Sequence, residues 1–159
     1  MKNQKGFSLI ELLVVVIIIA IIAAIAIPSL LASRRAANQS STVANLRTIV
    51  SASATMASLN QGNYAPDFAT LSGGTNNYLD DSWTGTPTKN GYLYTYTASA
   101  AANPIVGYCV TAAAVSSSSG DNSYAASHQG AIFQLAGTTA PTCAAATGAI
   151  TTGTVVGAP

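Results

Sequence analysis

A run of 27 residues, 7–33, contains one ionisable side chain, Glu11, close to its start. Within it, residues 12–27 are twelve Leu, Ile or Val and four Ala. At about −0.3 to −0.6 kcal/mol for each large aliphatic residue, transfer of this stretch into a bilayer is favoured by about 5 kcal/mol. An acid at the end of the segment costs less than the roughly 3 kcal/mol of one at mid-membrane, so insertion wins. As a helix the run spans about 40 Å, against a hydrocarbon core of about 30 Å. Ten of residues 12–27 are β-branched, a weak helix composition in water. Lipid offers the backbone no other partner and imposes the helix.

Pro28 lies past the middle of this segment, where it removes a backbone hydrogen bond and crowds the carbonyl of Ala24. Because Ser29, Leu30, Leu31 and Ala32 continue the apolar pattern, a kink is expected at Pro28 rather than an end to the helix. Lys2 and Lys5 flank one side of the run and Arg34 and Arg35 the other, so the distribution of positive charge does not fix orientation.

The string Lys5-Gly6-Phe7-Ser8-Leu9-Ile10-Glu11-Leu12 resembles the prepilin signature of type IV pilins and of the related type II secretion pseudopilins. Its parts are a short basic leader ending in Gly, then Phe, then Glu at the fifth position after the Gly. The resemblance covers about residues 2–35, including Pro28. It is looser beyond, in pieces such as Asp81-Ser82-Trp83, Gly91-Tyr92-Leu93-Tyr94 and Gly130-Ala131-Ile132-Phe133. It implies that a prepilin peptidase cuts between Gly6 and Phe7 and that the new amino terminus of Phe7 is methylated. It also implies that subunits polymerise through their apolar helices, with Glu11 of one meeting the Phe7 amine of another.

The chemistry of that arrangement agrees. A secretory signal is cleaved behind its apolar region, whereas a cut after Gly6 removes only the basic leader and leaves the apolar helix attached. The cut creates an amine of pKa about 8 four residues before Glu11. Each charge alone in an apolar packing would cost several kcal/mol, and each satisfies the other. The competing reading of Glu11 is a carboxylate at the headgroup boundary of a plain signal anchor.

After Arg35 the pattern becomes amphipathic. In residues 36–60, Val43, Leu46, Ile49, Val50, Met56 and Leu59 recur at helical spacing with polar residues between them, and Gly62 supplies a stop. One helix over residues 7–60 is therefore expected. Residues 63–90 gather turn formers, among them Pro66, Gly73, Gly74, Pro87 and Asn90, pinned by Phe68, Leu71, Tyr78, Leu79 and Trp83. Strands are predicted over residues 92–97, with three Tyr on one face, and over 105–112 and 131–136, the last two linked by a low-complexity turn at 116–121. Three or four antiparallel strands need a cover, and the helix of residues 36–60 supplies one. The fold class is α+β: a long N-terminal helix, apolar then amphipathic, packed on a small antiparallel sheet. The expected organisation is a leader (1–6), a membrane and filament-core helix (7–35) and a globular head (36–159). The tail, 144–159, is uncharged and reads either as a final strand or as a surface segment.

Cys109 and Cys143 most simply pair with each other if the head is exported, and the family resemblance implies a C-terminal loop bounded by a disulfide. Two free buried thiols are the alternative.

For catalysis there is a single His128, taken as a surface residue, and no nucleophile, phosphate-loop or metal motif. No enzyme activity and no cofactor are expected. Asp80, Asp81 and Asp121 are weak Ca²⁺ candidates on exposed loops. Once Lys2 and Lys5 are gone, four basic side chains face five acidic ones, and Arg34, Arg35 and Arg47 are too scattered to hold nucleic acid. Asn38-Gln39-Ser40 permits glycosylation without predicting it.

The sequence thus points to a structural subunit of a pilus-like filament. Its expected partners are further copies of itself, the prepilin peptidase, an inner-membrane assembly machine and, before assembly, the lipid bilayer. The precursor belongs in the inner membrane and the assembled subunit outside the cell. Alternatives are a type II secretion pseudopilin, favoured by the Asp-rich connection and Trp83, and a signal-anchored binding module that never polymerises.

Overall fold

The computed structural model describes residues 6–73, 76–99, 104–144 and 146–156. Lys2 and Lys5 of the leader, Gly74 of the connection and the last residues of the tail, 157–159, lie outside the described residues. The chain divides after Arg34 into two compact units.

Helix α1, Leu9–Leu59, begins in the first unit and ends in the second. Pro28 lies inside it and does not terminate it. The helix stops where Gln61 and Gly62 take φ of 56° and 84° and the Gly62 amide donates to the Ala57 carbonyl at 2.8 Å.

In the second unit, α2 (Phe68–Ser72) follows, capped by the Asp67 carboxylate, which accepts from the Thr70 amide. A short 3₁₀ turn at Asp81–Trp83 comes next, capped in the same way by Asp80. The strands are β1 (Thr88–Lys89), β2 (Tyr92–Ala98), β3 (Tyr108–Ala114), β4 (Asn122–Ser127), β5 (Ile132–Ala136), β6 (Cys143–Ala144), β7 (Ala149–Ile150) and β8 (Thr154–Val155). Strands β1 to β5 and β8 form one antiparallel sheet in the order β1-β2-β3-β4-β5-β8. Strands β6 and β7 form a separate antiparallel pair that packs against β3 and β4.

Alternation decides what each strand buries. Tyr92, Tyr94, Tyr108, Val110, Ala112, Tyr124 and Ala126 join one core with Leu46, Ile49 and Ala52 of α1 and Phe68, Leu71 and Trp83 of the connection. Cys109, Ser123, Ala125 and Ser127 point the other way and are buried too, because the sheet is covered on that side as well.

Several expectations need correction. Leu59 is 66% exposed, outside the stripe that buries Leu46 and Ile49, while the small side chains of Thr42, Ala52 and Ser53 are buried instead. The strand expected over 105–112 begins at Tyr108, because the Ile105 amide donates to the Asn63 side chain at 2.6 Å and its carbonyl accepts from the Tyr64 amide. Strand β4 was not anticipated: Asn-Ser-Tyr-Ala-Ala-Ser lacks the β-branched residues that mark a strand. The turn at 116–121 therefore leads into β4 and not into β5. The tail is neither one strand nor a bare surface segment, since it supplies β7, part of β6, and β8 at the sheet edge.

Candidate functional site

The first helical turn is held by its own side chains. Gly6 and Phe7 are exposed and precede the helix. The Ser8 carbonyl accepts from the Glu11 and Leu12 amides at 3.1 and 3.4 Å, and the Ser8 amide donates to Glu11 Oε2 at 2.9 Å. This is the reach-back half of a capping box, in which the acid three residues into the helix satisfies an amide that the helix leaves without a partner. The negative charge also sits where the helix dipole favours it. Ser8-x-x-Glu11 is the sequence signal of this cap. The Glu11 bond engages Oε2; among the described residues Oε1 has no hydrogen-bond partner. Phe7, Ile10, Glu11, Val14 and Val15 line one shallow groove.

The rest of this segment has no cover within its own unit. Phe7 is 81% exposed and Ile25 74%, and the large aliphatics from Leu9 to Leu31 are all exposed. The helix is long and apolar enough to cross a membrane. An exposed apolar surface of this extent marks contact with lipid or with other protein.

In the head, the Cys109–Cys143 disulfide joins β3 to β6 across 34 residues, with Cα atoms 6.1 Å apart. The free-thiol alternative is excluded. Asp80 is committed to the Ser82 amide and lies 3.9 Å from Lys89 Nζ. Those contacts, the Ser82 hydrogen bonds first, hold its carboxyl below the ordinary carboxylate range. Asp121 pairs with Arg35 at 3.1 Å, and Asp81 stands exposed. Two of the three calcium candidates thus face cations, and among the described residues no three His, Cys, Asp or Glu side chains converge on a metal position. Trp83 is buried under Lys89, whose Nζ lies 4.3 Å from the ring centre, and packs edge-on against Tyr94. Asn38 of the sequon donates to the Ser119 carbonyl at 3.0 Å, so its amide is part of the packing. His128 is not a surface residue: it is half-buried beside Tyr64 and Tyr108.

Comparison with known proteins bears on the amino-terminal segment. Residues 1–27 match the family model described as the prokaryotic N-terminal methylation motif. Over 50 residues the chain is 45% identical to the type IV wide pilus major component PilA4 of Thermus thermophilus. The chain thus carries a segment like the prokaryotic N-terminal methylation motif and is similar over part of its length to a type IV pilus component. The shared stretch covers 31% of this chain and only 38% of the Thermus protein. No solved structure matches the chain. The family-model match spans the segment where the Ser8–Glu11 cap lies.

Proposed function

We propose that the chain is a structural subunit of a type IV pilus-like filament, processed between Gly6 and Phe7, methylated on Phe7 and polymerised through α1. The observation that carries this reading is the placement of Glu11: an acid on an exposed apolar helix, the fifth residue after the proposed cut, within the methylation motif. Cleavage at Gly6 is supported by the exposure of Gly6 and Phe7 ahead of the helix. As precursor the chain sits in the inner membrane with its apolar segment in lipid. On assembly it exchanges lipid for the helices of other copies, a second apolar surrounding in which Glu11 and the Phe7 amine neutralise each other. The peptidase and an assembly machine are its other partners. The name of the Thermus relative, a major pilus component, supports the pilin reading over the pseudopilin one. Asp80 and Trp83, which favoured a pseudopilin, have structural roles in capping the 3₁₀ turn and filling the core.

The test is electron microscopy of cells expressing the full precursor, wild type against Glu11→Ala. Filaments from wild type and few or short ones from the variant support the reading. Normal filaments from the variant contradict the docking role of Glu11, and a wild-type protein that stays monomeric in the membrane favours the anchored binding module.

A further inference from the structure

The second unit, Arg35–Pro159, contains seven charged side chains, Arg35, Arg47, Lys89, Asp67, Asp80, Asp81 and Asp121, and all seven are described. Five have partners within the unit. Arg35 pairs with Asp121 at 3.1 Å and Lys89 lies 3.9 Å from Asp80. Asp67 accepts from the Thr70 amide and hydroxyl at 2.8 and 2.7 Å. One cation and one anion are left: among the described residues neither the Arg47 guanidinium nor the Asp81 carboxylate has a hydrogen-bond or ion partner, and both are exposed.

Their settings differ and are complementary. Arg47 overlooks a concavity of about 450 Å³ lined by Thr48, Ser51, Ala52, Thr55 and Tyr78. Ser51, one helical turn beyond Arg47, adds a hydroxyl on the same face. The Thr48 and Thr55 hydroxyls already donate to the Ala44 and Ser51 carbonyls, so Arg47, Ser51 and the Tyr78 hydroxyl are the donors the groove offers to a carboxylate. Asp81 stands exposed on a turn fixed on both sides, by the Asp80 cap and by buried Trp83, while the nearby Lys89 engages Asp80, Ser82 and the Trp83 ring.

We infer that Arg47 of one copy receives Asp81 of a second copy, so that the charges left over in one head are matched in the next. Within a filament the contact is heterologous, each copy offering Arg47 to one neighbour and Asp81 to another. Contacts of that kind propagate into an open helical assembly unless the rotation closes a ring. An exposed pair of this sort contributes little in isolation. Repeated at every subunit contact, in a chain with only 7% charged residues, it sets the register of heads that otherwise meet through uncharged surface. The inference rests on the filament reading above.

The test is charge reversal in the full precursor, comparing sheared filament yield for wild type, Arg47→Glu, Asp81→Lys and the double variant. Each single reversal is expected to lower yield at least about tenfold, with the double variant returning most of it. Single variants that match wild type, or a double variant no better than either single one, overturn the pairing while leaving the filament reading intact. A loss on reversing Arg47 that reversing Asp81 does not reproduce also overturns it and gives the groove to a different anion. Wild type without filaments overturns both. Should a reversed variant fold poorly, filaments of the Arg47→Cys, Asp81→Cys double variant decide the matter. A ladder of disulfide-linked multimers is the expected result, and monomers alone would contradict it.

Discussion

The Ser8 amide donates to the Glu11 carboxylate at 2.9 Å, so the acid proposed to dock subunits also starts the helix that docks. Capping needs only an acceptor oxygen, which Gln supplies as well as Glu, whereas pairing with the Phe7 amine needs a negative charge. Glu11→Gln therefore separates the two roles. It is expected to keep the start of α1, read by the circular dichroism of the full chain in micelles, and to lose filaments as Glu11→Ala does. Normal filaments from Glu11→Gln would reduce Glu11 to a cap.

The Cys109–Cys143 disulfide ties the β6–β7 pair to the sheet. For a closed loop of this size the chain-entropy model gives a contribution of roughly 4 kcal/mol. Replacing both cysteines by Ser is expected to lower the unfolding free energy by about 2–4 kcal/mol, read by urea denaturation of the full chain in micelles. An unchanged midpoint would mean that the tail holds its place without the bond.

How much of this was legible follows the kind of signal each element carries. The apolar segment announces itself by composition, and α1 by the spacing of Leu46 and Ile49. Strand β2 is visible because Tyr92, Tyr94 and Tyr96 alternate with Leu93 and Thr95. Strand β4 is invisible because its burial comes from neighbours on both faces: Ser123 accepts from the Ala114 amide and donates to the Gly137 carbonyl, a role no propensity encodes. The hairpin between β1 and β2 could have been found, since Asn90 and Gly91, at φ of 52° and 76°, make the Asn-Gly two-residue turn that such connections favour. At the candidate site, Glu11 was legible from the motif. The Ser-x-x-Glu spacing carries its bond to Ser8 as well, whereas the ion partners of Asp80 and Asp121 depend on tertiary packing.

The low-complexity turn before β4 is more constrained than its serines suggest. A Cβ at Gly120 would lie 1.9 Å from the Tyr92 hydroxyl, which donates to the Asn122 carbonyl at 2.7 Å. Gly120→Ala is expected to destabilise by about 1–3 kcal/mol, and Tyr92→Phe in the same chain to recover part of that loss. Additive effects of the two substitutions, read from denaturation midpoints, would show that the close approach is not what restricts position 120.

Burial pushes the Tyr108 hydroxyl up to about 12, and raises Tyr92 and Tyr96 for the same reason. The fold thus keeps protons that the unfolded chain releases near pH 10. The stability these tyrosines contribute is fully present below about pH 10 and is lost as pH rises through about 12. Melting of the full chain is expected to hold steady up to about pH 9 and fall beyond pH 10, with phenolate absorbance appearing late and together with unfolding. Phenolate signal from most tyrosines near pH 10 in a folded chain would contradict their burial.

The central claim, a chain cut at Gly6 and polymerised through α1, is met most directly by mass spectrometry of filaments sheared from cells that express it. The account predicts an abundant mature chain beginning at N-methylated Phe7 with the Cys109–Cys143 disulfide intact. Filaments that lack the chain, or a chain that keeps residues 1–6 and remains in the membrane fraction, would contradict it.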